Sequence, residues 1–104
     1  MYPVIFTQAN DCVLVEVPDL QILTEGKDME SAIEMVRDAI SLTIVSKEDN
    51  QECIPEPTKM ADVDISHGAF SKLGESFSSL VDTDVDEYRK KQKQLKVKLQ
   101  QLHS

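Results

Sequence analysis

A chain of 104 residues with a formal net charge of −8 has room for one small hydrophobic core and little beyond it. No apolar run approaches the ~20 residues of a membrane span, and no basic stretch followed by an apolar one opens the N-terminus, so a cytoplasmic location is expected. The charge is unevenly placed: residues 1–85 carry 17 acidic and 5 basic side chains (−12), residues 86–104 carry 2 acidic and 6 basic (+4). An acidic body discourages contact with phosphate backbones and favours a basic protein partner.

The chain begins with a β-rich run, Tyr2 to Gln8, in which Tyr2, Val4 and Phe6 share a face. A polar turn, Ala9-Asn10-Asp11, leads into Cys12 to Val17, where Val13, Val15 and Val17 alternate with Cys12, Leu14 and Glu16. Two such runs around a short turn predict a hairpin. Pro18 ends the second strand because it lacks a backbone donor, and Leu20 to Thr24 reads as a third strand. Gly26 permits a turn with positive φ. Asp28 can then cap a helix, and Glu30 adds negative charge near its positive end. Ser31 stands where a complete capping box has Glu or Gln. At ~100° per residue, Met29, Ala32, Ile33, Val36, Ala39, Ile40, Thr43 and Ile44 form one stripe, and Glu30, Ser31, Glu34, Arg37, Asp38 and Ser41 the opposite side. A helix with one apolar stripe needs a sheet or another helix beneath it.

Beyond Val45, Ser46 to Glu52 is charged, and Ile54-Pro55-Glu56-Pro57 is a stiff, extended connector. Met60 to Gly74 carries little pattern, with Ile65 and Phe70 as its candidate anchors. Ser76 to Thr83 reads as a further strand with Phe77 and Val81 inward. Asp84 and Glu87 have the spacing of a capping box at the start of a last helix. The expected fold is α+β: a three-to-four-stranded antiparallel sheet crossed by one amphipathic helix, in the order β-β-β-α-β, plus a C-terminal helix. The α/β body occupies residues 1–84 and the C-terminal amphipathic helix residues 85–104.

The Tyr-Pro start, the Val-rich second strand, Pro18-Asp19-Leu20, Thr24-Glu25-Gly26, the helix from Glu30 to Asp38 and Ile54-Pro55-Glu56-Pro57 follow one another as in HicB-type antitoxins. The chain resembles that family from about residue 1 to 90, including Val85-Asp86-Glu87-Tyr88-Arg89-Lys90-Lys91. The resemblance implies a partial ribonuclease-H-like or double-stranded-RNA-binding-domain-like unit. It also implies the antitoxin half of a type II toxin–antitoxin pair whose toxin is a small basic HicA-type mRNA interferase. Asp11-Cys12 replaces the family's glycine-aromatic pair in the first hairpin. Family members generally continue into a ribbon–helix–helix or helix-turn-helix module. Residues 85–104 have room for one Lys/Gln/Leu helix, so the chain by itself is expected to bind DNA weakly or not at all.

Catalysis is not expected from these residues. His67 and His103 lack a nearby nucleophile motif, and Ser31, Ser66, Ser71 and Ser76 lack a nucleophile-elbow context. Gly26, Gly68 and Gly74 do not compose a phosphate-cradling loop. Asp82 to Asp86 lacks the glycine of a calcium loop, and Lys93 stands where the bidentate Glu belongs. Asp11, Glu16 and Asp62 or Asp64 show no spacing that would converge on a metal pair. Cys12 and Cys53 read as two reduced, structurally ordinary thiols. No cofactor and no metal are therefore expected.

The binding candidates lie on the helices. Glu30, Glu34 and Asp38 form an i, i+4, i+8 acidic row, either a solvated face or a docking strip for a basic toxin. Met35 and Leu42 fall off the centre of the buried stripe, so they either flank the same core or belong to the toxin-binding surface. In the tail, Val85, Tyr88, Gln92, Leu95, Leu99 and Leu102 are spaced as a heptad seam. Tyr88, Leu95, Leu99 and Leu102 are the candidates for a homodimer or higher homo-oligomer, the alternative being a helix that packs on its own domain. The expected function is neutralisation of the toxin by masking its active surface. The alternative is a stand-alone α/β regulatory module that binds a metabolite between sheet and helix.

Overall fold

In a computed structural model, which describes the backbone of residues 1–102 and the side chains of residues 1–94, four strands form one sheet. They are β1 (Tyr2–Gln8), β2 (Val13–Val17), β3 (Ile22–Gly26) and β4 (Glu75–Val81). Every pairing is antiparallel and the spatial order is β3-β2-β1-β4. Two helices, α1 (Met29–Asp49) and α2 (Val85–Leu102), complete the α+β architecture that the sequence led one to expect. Pro3 interrupts nothing in this sheet. The β1–β2 register stops at Ile5 opposite Glu16, so β1 pairs only with β4 at Pro3.

Register assembles the core. Phe6 lies opposite Val15 and Phe77, Tyr2 opposite Val81, and Val15 opposite Thr24. Period-two alternation then puts Tyr2, Val4, Phe6, Val13, Val15, Val17 and Val81 on the face that α1 covers. From α1 come Ala32, Val36 and Ile40, each wholly buried. Asp28 caps this helix as expected, accepting a 2.8 Å hydrogen bond at Oδ1 from the Ser31 amide.

Gly26 is needed for a different reason from the one expected. Its φ is not positive. Instead the first turn of α1 lies on it, and a Cβ there would stand 2.4 Å from the Ala32 nitrogen. The third strand also starts two residues late. Pro18–Leu20 forms a 3-10 turn that buries Leu20 in the core, and Gln21 closes it in the left-handed region at φ 55°.

Three further differences come from where α1 and α2 lie. Helix α1 continues past Val45 to Asp49. Ser41, assigned by the wheel to the outer side, is buried beside Val85 and Tyr88 of α2. Phe77 faces α1 and stacks on Phe6, with ring centroids 5.4 Å apart, yet remains 46% exposed. Helix α1 lies chiefly over β3 and β2, which leaves the β4 edge partly open.

The second face of the sheet is also covered, by the segment after α1. Pro3, Ile5 and Thr7 are buried there, and Thr7 shares a 2.7 Å hydroxyl contact with Ser76. The poorly patterned stretch supplies 3-10 turns at Met60–Asp62 and Ile65–His67, and its anchors Ile65 and Phe70 are half-buried. Polar contacts hold it down. The Tyr2 hydroxyl donates to the Pro55 carbonyl. Thr58 gives Asp19 two bonds, from N at 2.8 Å and Oγ1 at 2.5 Å. The Ala69 amide donates to Glu16 Oε1 at 2.9 Å. Burial, then the nearby Asp19 charge, pushes the Tyr2 phenol above its ordinary pKa.

Two local motifs predict an acid limb in stability. The Ser31 amide holds Asp28, and the Ser66 hydroxyl followed by His67 holds Asp64, below the ordinary aspartate range. A carboxylate favoured in the folded chain contributes fully above its unfolded pKa, about 3.9, and loses that contribution as pH falls through the lowered folded value. Thermal melts should therefore show stability declining below about pH 4. The Asp28→Asn/Asp64→Asn double variant should show a shallower decline over that interval.

Candidate protein interface

The residues singled out on the first helix emerge on one exposed surface. Glu30, Glu34 and Asp38 all face solvent, and Met35 and Leu42 stand among them at 49% and 52% exposure. The helical repeat explains the row, because residues four apart lie one above the other on a helix. Two large apolar side chains flanked by carboxylates form an amphipathic strip, and burial of such groups by a partner is favourable.

The acidic row does not end at Asp38. That residue borders a cleft of about 700 Å3 between α1 and the β4–α2 junction, whose other lining includes Arg37, Ser41, Asp82, Asp84, Asp86, Glu87, Tyr88 and Lys91. Five carboxylates (Asp38, Asp82, Asp84, Asp86 and Glu87) thus face two basic groups, Arg37 and Lys91. Arg37 pairs with Asp82 at 3.2 Å, with both side chains largely in solvent. An exposed pair of this kind adds little stability. Asp84 caps α2, accepting from the Glu87 amide at 3.0 Å as the capping-box spacing predicts. Sequence reasoning treated the aspartates at 82, 84 and 86 as a strand end and a helix cap. It missed that the chain returns them to the side of Asp38.

The start of α2 is fixed to the end of α1. Arg89 reaches Asp49 at 3.1 Å and Glu48 at 3.4 Å, where a cation also meets the negative end of the helix. The Asp49 hydrogen bond foremost, with Glu48 adding to it, holds the guanidinium still more firmly protonated. Val85, Tyr88 and Gln92 are half-buried, while Asp86, Glu87, Lys90, Lys91 and Lys93 are exposed. Gln92 Nε2 donates to the Tyr88 hydroxyl at 3.3 Å. Within the described part of the seam, α2 therefore packs on its own domain. The side chains of Leu95, Leu99 and Leu102, and His103, lie outside the described residues.

The groups weighed for catalysis are arranged otherwise. His67 Nδ1 meets the Asp64 carboxylate, and Ser66 Oγ lies 3.4 Å from the same nitrogen. A nucleophile–base–acid relay needs the serine on Nε2 and the acid on Nδ1. The Ser66 amide also donates to Asp64, so the three residues form a local turn motif. Among the described residues no group of three or more His, Cys, Asp or Glu side chains is placed to hold a metal ion. Cys12 and Cys53 are free, and among the described residues no helix is long and apolar enough to cross a membrane.

Comparison with known proteins bears on this arrangement. A family model described as a HicB-like antitoxin of bacterial toxin–antitoxin systems matches residues 2–103. No curated protein matches the chain. The fold is similar to a chain in a toxin–antitoxin complex from Streptococcus pneumoniae, with a TM-score of 0.74 and 22% sequence identity over 84% of this chain and 70% of that one. At that identity the structural likeness speaks for the fold, whereas the family match runs through the sheet, both helices and the acidic cleft between them. This chain belongs to the HicB-like antitoxin family.

Proposed function

We propose that the chain neutralises a small basic HicA-type mRNA interferase by direct binding, with the outer face of α1 and the adjoining acidic cleft as the docking surface. The observation that carries this reading is the continuity of the acidic row with the cleft at Asp38. An RNA-cleaving toxin must present positive charge to its substrate, and a surface that draws that charge competes with RNA for the same groups. Glu30, Glu34 and Asp38 steer the encounter, while Met35 and Leu42 supply apolar area that is buried on contact. Inhibition of this kind works by occlusion and requires no chemistry from the antitoxin. The alternative of a metabolite held between sheet and helix is disfavoured, because Phe6, Val15, Val36 and Ile40, each 2% exposed or less, already fill that space.

Co-expression of the chain with a small basic toxin of the HicA type should restore growth and give a complex that co-purifies. Growth arrest that persists with the chain abundantly expressed would overturn the reading. Self-association through the tail is a further part of the proposal, resting on the heptad spacing of Leu95, Leu99 and Leu102 beyond Tyr88, which itself packs on the domain. Leu95→Glu/Leu99→Glu should lower the sedimenting mass at equal concentration. Equal masses for the variant and the wild type would assign those leucines to the chain's own domain.

A further inference from the structure

Strand β4 is an outer strand of the sheet, paired on one side with β1. Among the described residues no backbone group bonds to its other side. Free strand edges invite pairing, and proteins usually protect them with charges, prolines or bulges. This edge has none of those protections over Ser76–Val81, where the sequence is Ser-Phe-Ser-Ser-Leu-Val. Phe77 and Leu80 project from its opposite faces at 46% and 45% exposure. Beside it, on the α1 side, runs a groove of about 210 Å3 lined by Phe6, Met29, Ile33 and Phe77 and ended by the Arg37–Asp82 pair.

Charge decides what can occupy this edge. The uncharged stretch is framed by Glu75 at one end and by Asp82 and Asp84 at the other. A second copy, paired antiparallel about Ser78 and Ser79, would bring Glu75 opposite the other copy's Asp82 at both ends. Like charges set directly opposite one another destabilise a strand pair. A segment with Lys or Arg at its two ends meets the opposite situation.

We propose that β4 is a strand-addition site for the basic toxin. An extended segment of the toxin pairs with the outer edge of β4 along Ser76–Val81, places an apolar side chain in the groove beside Phe77, and sets basic residues against Glu75 and Asp82. This rests on the toxin-binding reading above and adds the backbone pairing that supplies register and affinity. The edge lies on the Asp82 side of the acidic cleft, so one partner can span both surfaces.

Hydrogen exchange on the purified chain, alone and in complex with a basic toxin of the HicA type, tests the proposal. The expected result is slowed exchange of β4 amides in the complex only. Leu80→Lys should bind at least about tenfold more weakly than Leu80→Glu, since the two differ mainly in the sign presented to a basic strand. A folding defect would affect both variants alike and show in their melts. A complex in which β4 amides exchange as in the free chain, and in which the two variants bind equally, would overturn strand addition while leaving toxin binding intact. Protection of β4 in the chain alone, rising with its concentration, would assign the edge to a second copy and overturn the proposal. Failure of the wild-type chain to form any complex would overturn both readings.

Discussion

Ile40→Ala is expected to destabilise the fold by about 3–4 kcal/mol, the cost of deleting buried methylene groups and leaving a cavity. Ile40 sits wholly buried in the middle of α1, in one cluster with Val36, Phe6 and Val15. Domains of this size are stable by only about 5–15 kcal/mol, so the variant should lose on the order of 15 °C in Tm. Leu42→Ala, two residues on, provides the contrast. Leu42 is 52% exposed, and its truncation should change stability by no more than about 0.5 kcal/mol. Its effect should appear in toxin binding instead. A thermal or urea melt of the two variants separates the residues that hold the domain together from those available to a partner. Equal losses would mean that α1 does not present the two faces described.

Reversing the acidic row should act on association. Glu30→Lys/Glu34→Lys/Asp38→Lys changes three charges by two units each and takes the formal net charge from −8 to −2. All three side chains are exposed, so the fold should tolerate the change. Electrostatic steering multiplies on-rates by about 10–1000-fold at low salt and fades as the ionic strength rises. The triple variant should therefore associate with the toxin at least about tenfold more slowly at low salt, with a much smaller deficit at high salt. Dissociation should change less, because charges at the rim of an interface act mainly on encounter. Stopped-flow association at several salt concentrations gives both quantities. Identical rates for the two proteins would reduce the row to a solvated face.

How far the sequence disclosed this structure depended on whether a feature was local. The cap at Asp28, the alternation of Val13, Val15 and Val17 and the helical stripe through Val36 and Ile40 are each written in a few neighbouring residues. Non-local features were harder to see. Gly26 looked like a turn glycine, and only the return of the Ala32 backbone on top of it shows why a side chain is excluded. Ser41 follows the polar side of the wheel, but α2 comes back to cover it. A clue to the covered second face was present in Tyr2-Pro3-Val4-Ile5-Phe6, since an unbroken apolar run marks a strand buried on both sides. Reading only Tyr2, Val4 and Phe6 as inward overlooked it. The candidate interface divides in the same way. The row from Glu30 to Asp38 was legible from helical spacing. Its continuation into Asp82, Asp84, Asp86 and Glu87 required knowing that β4 and α2 return beside α1.

Silencing of a ribonuclease by direct coverage, as proposed above, is tested most directly by RNA cleavage by the purified toxin, titrated with the purified chain at physiological salt. Cleavage should fall in proportion to the chain added and cease near stoichiometric amounts, with the triple lysine variant requiring more. Cleavage that continues undiminished in a large excess of folded chain would contradict the account.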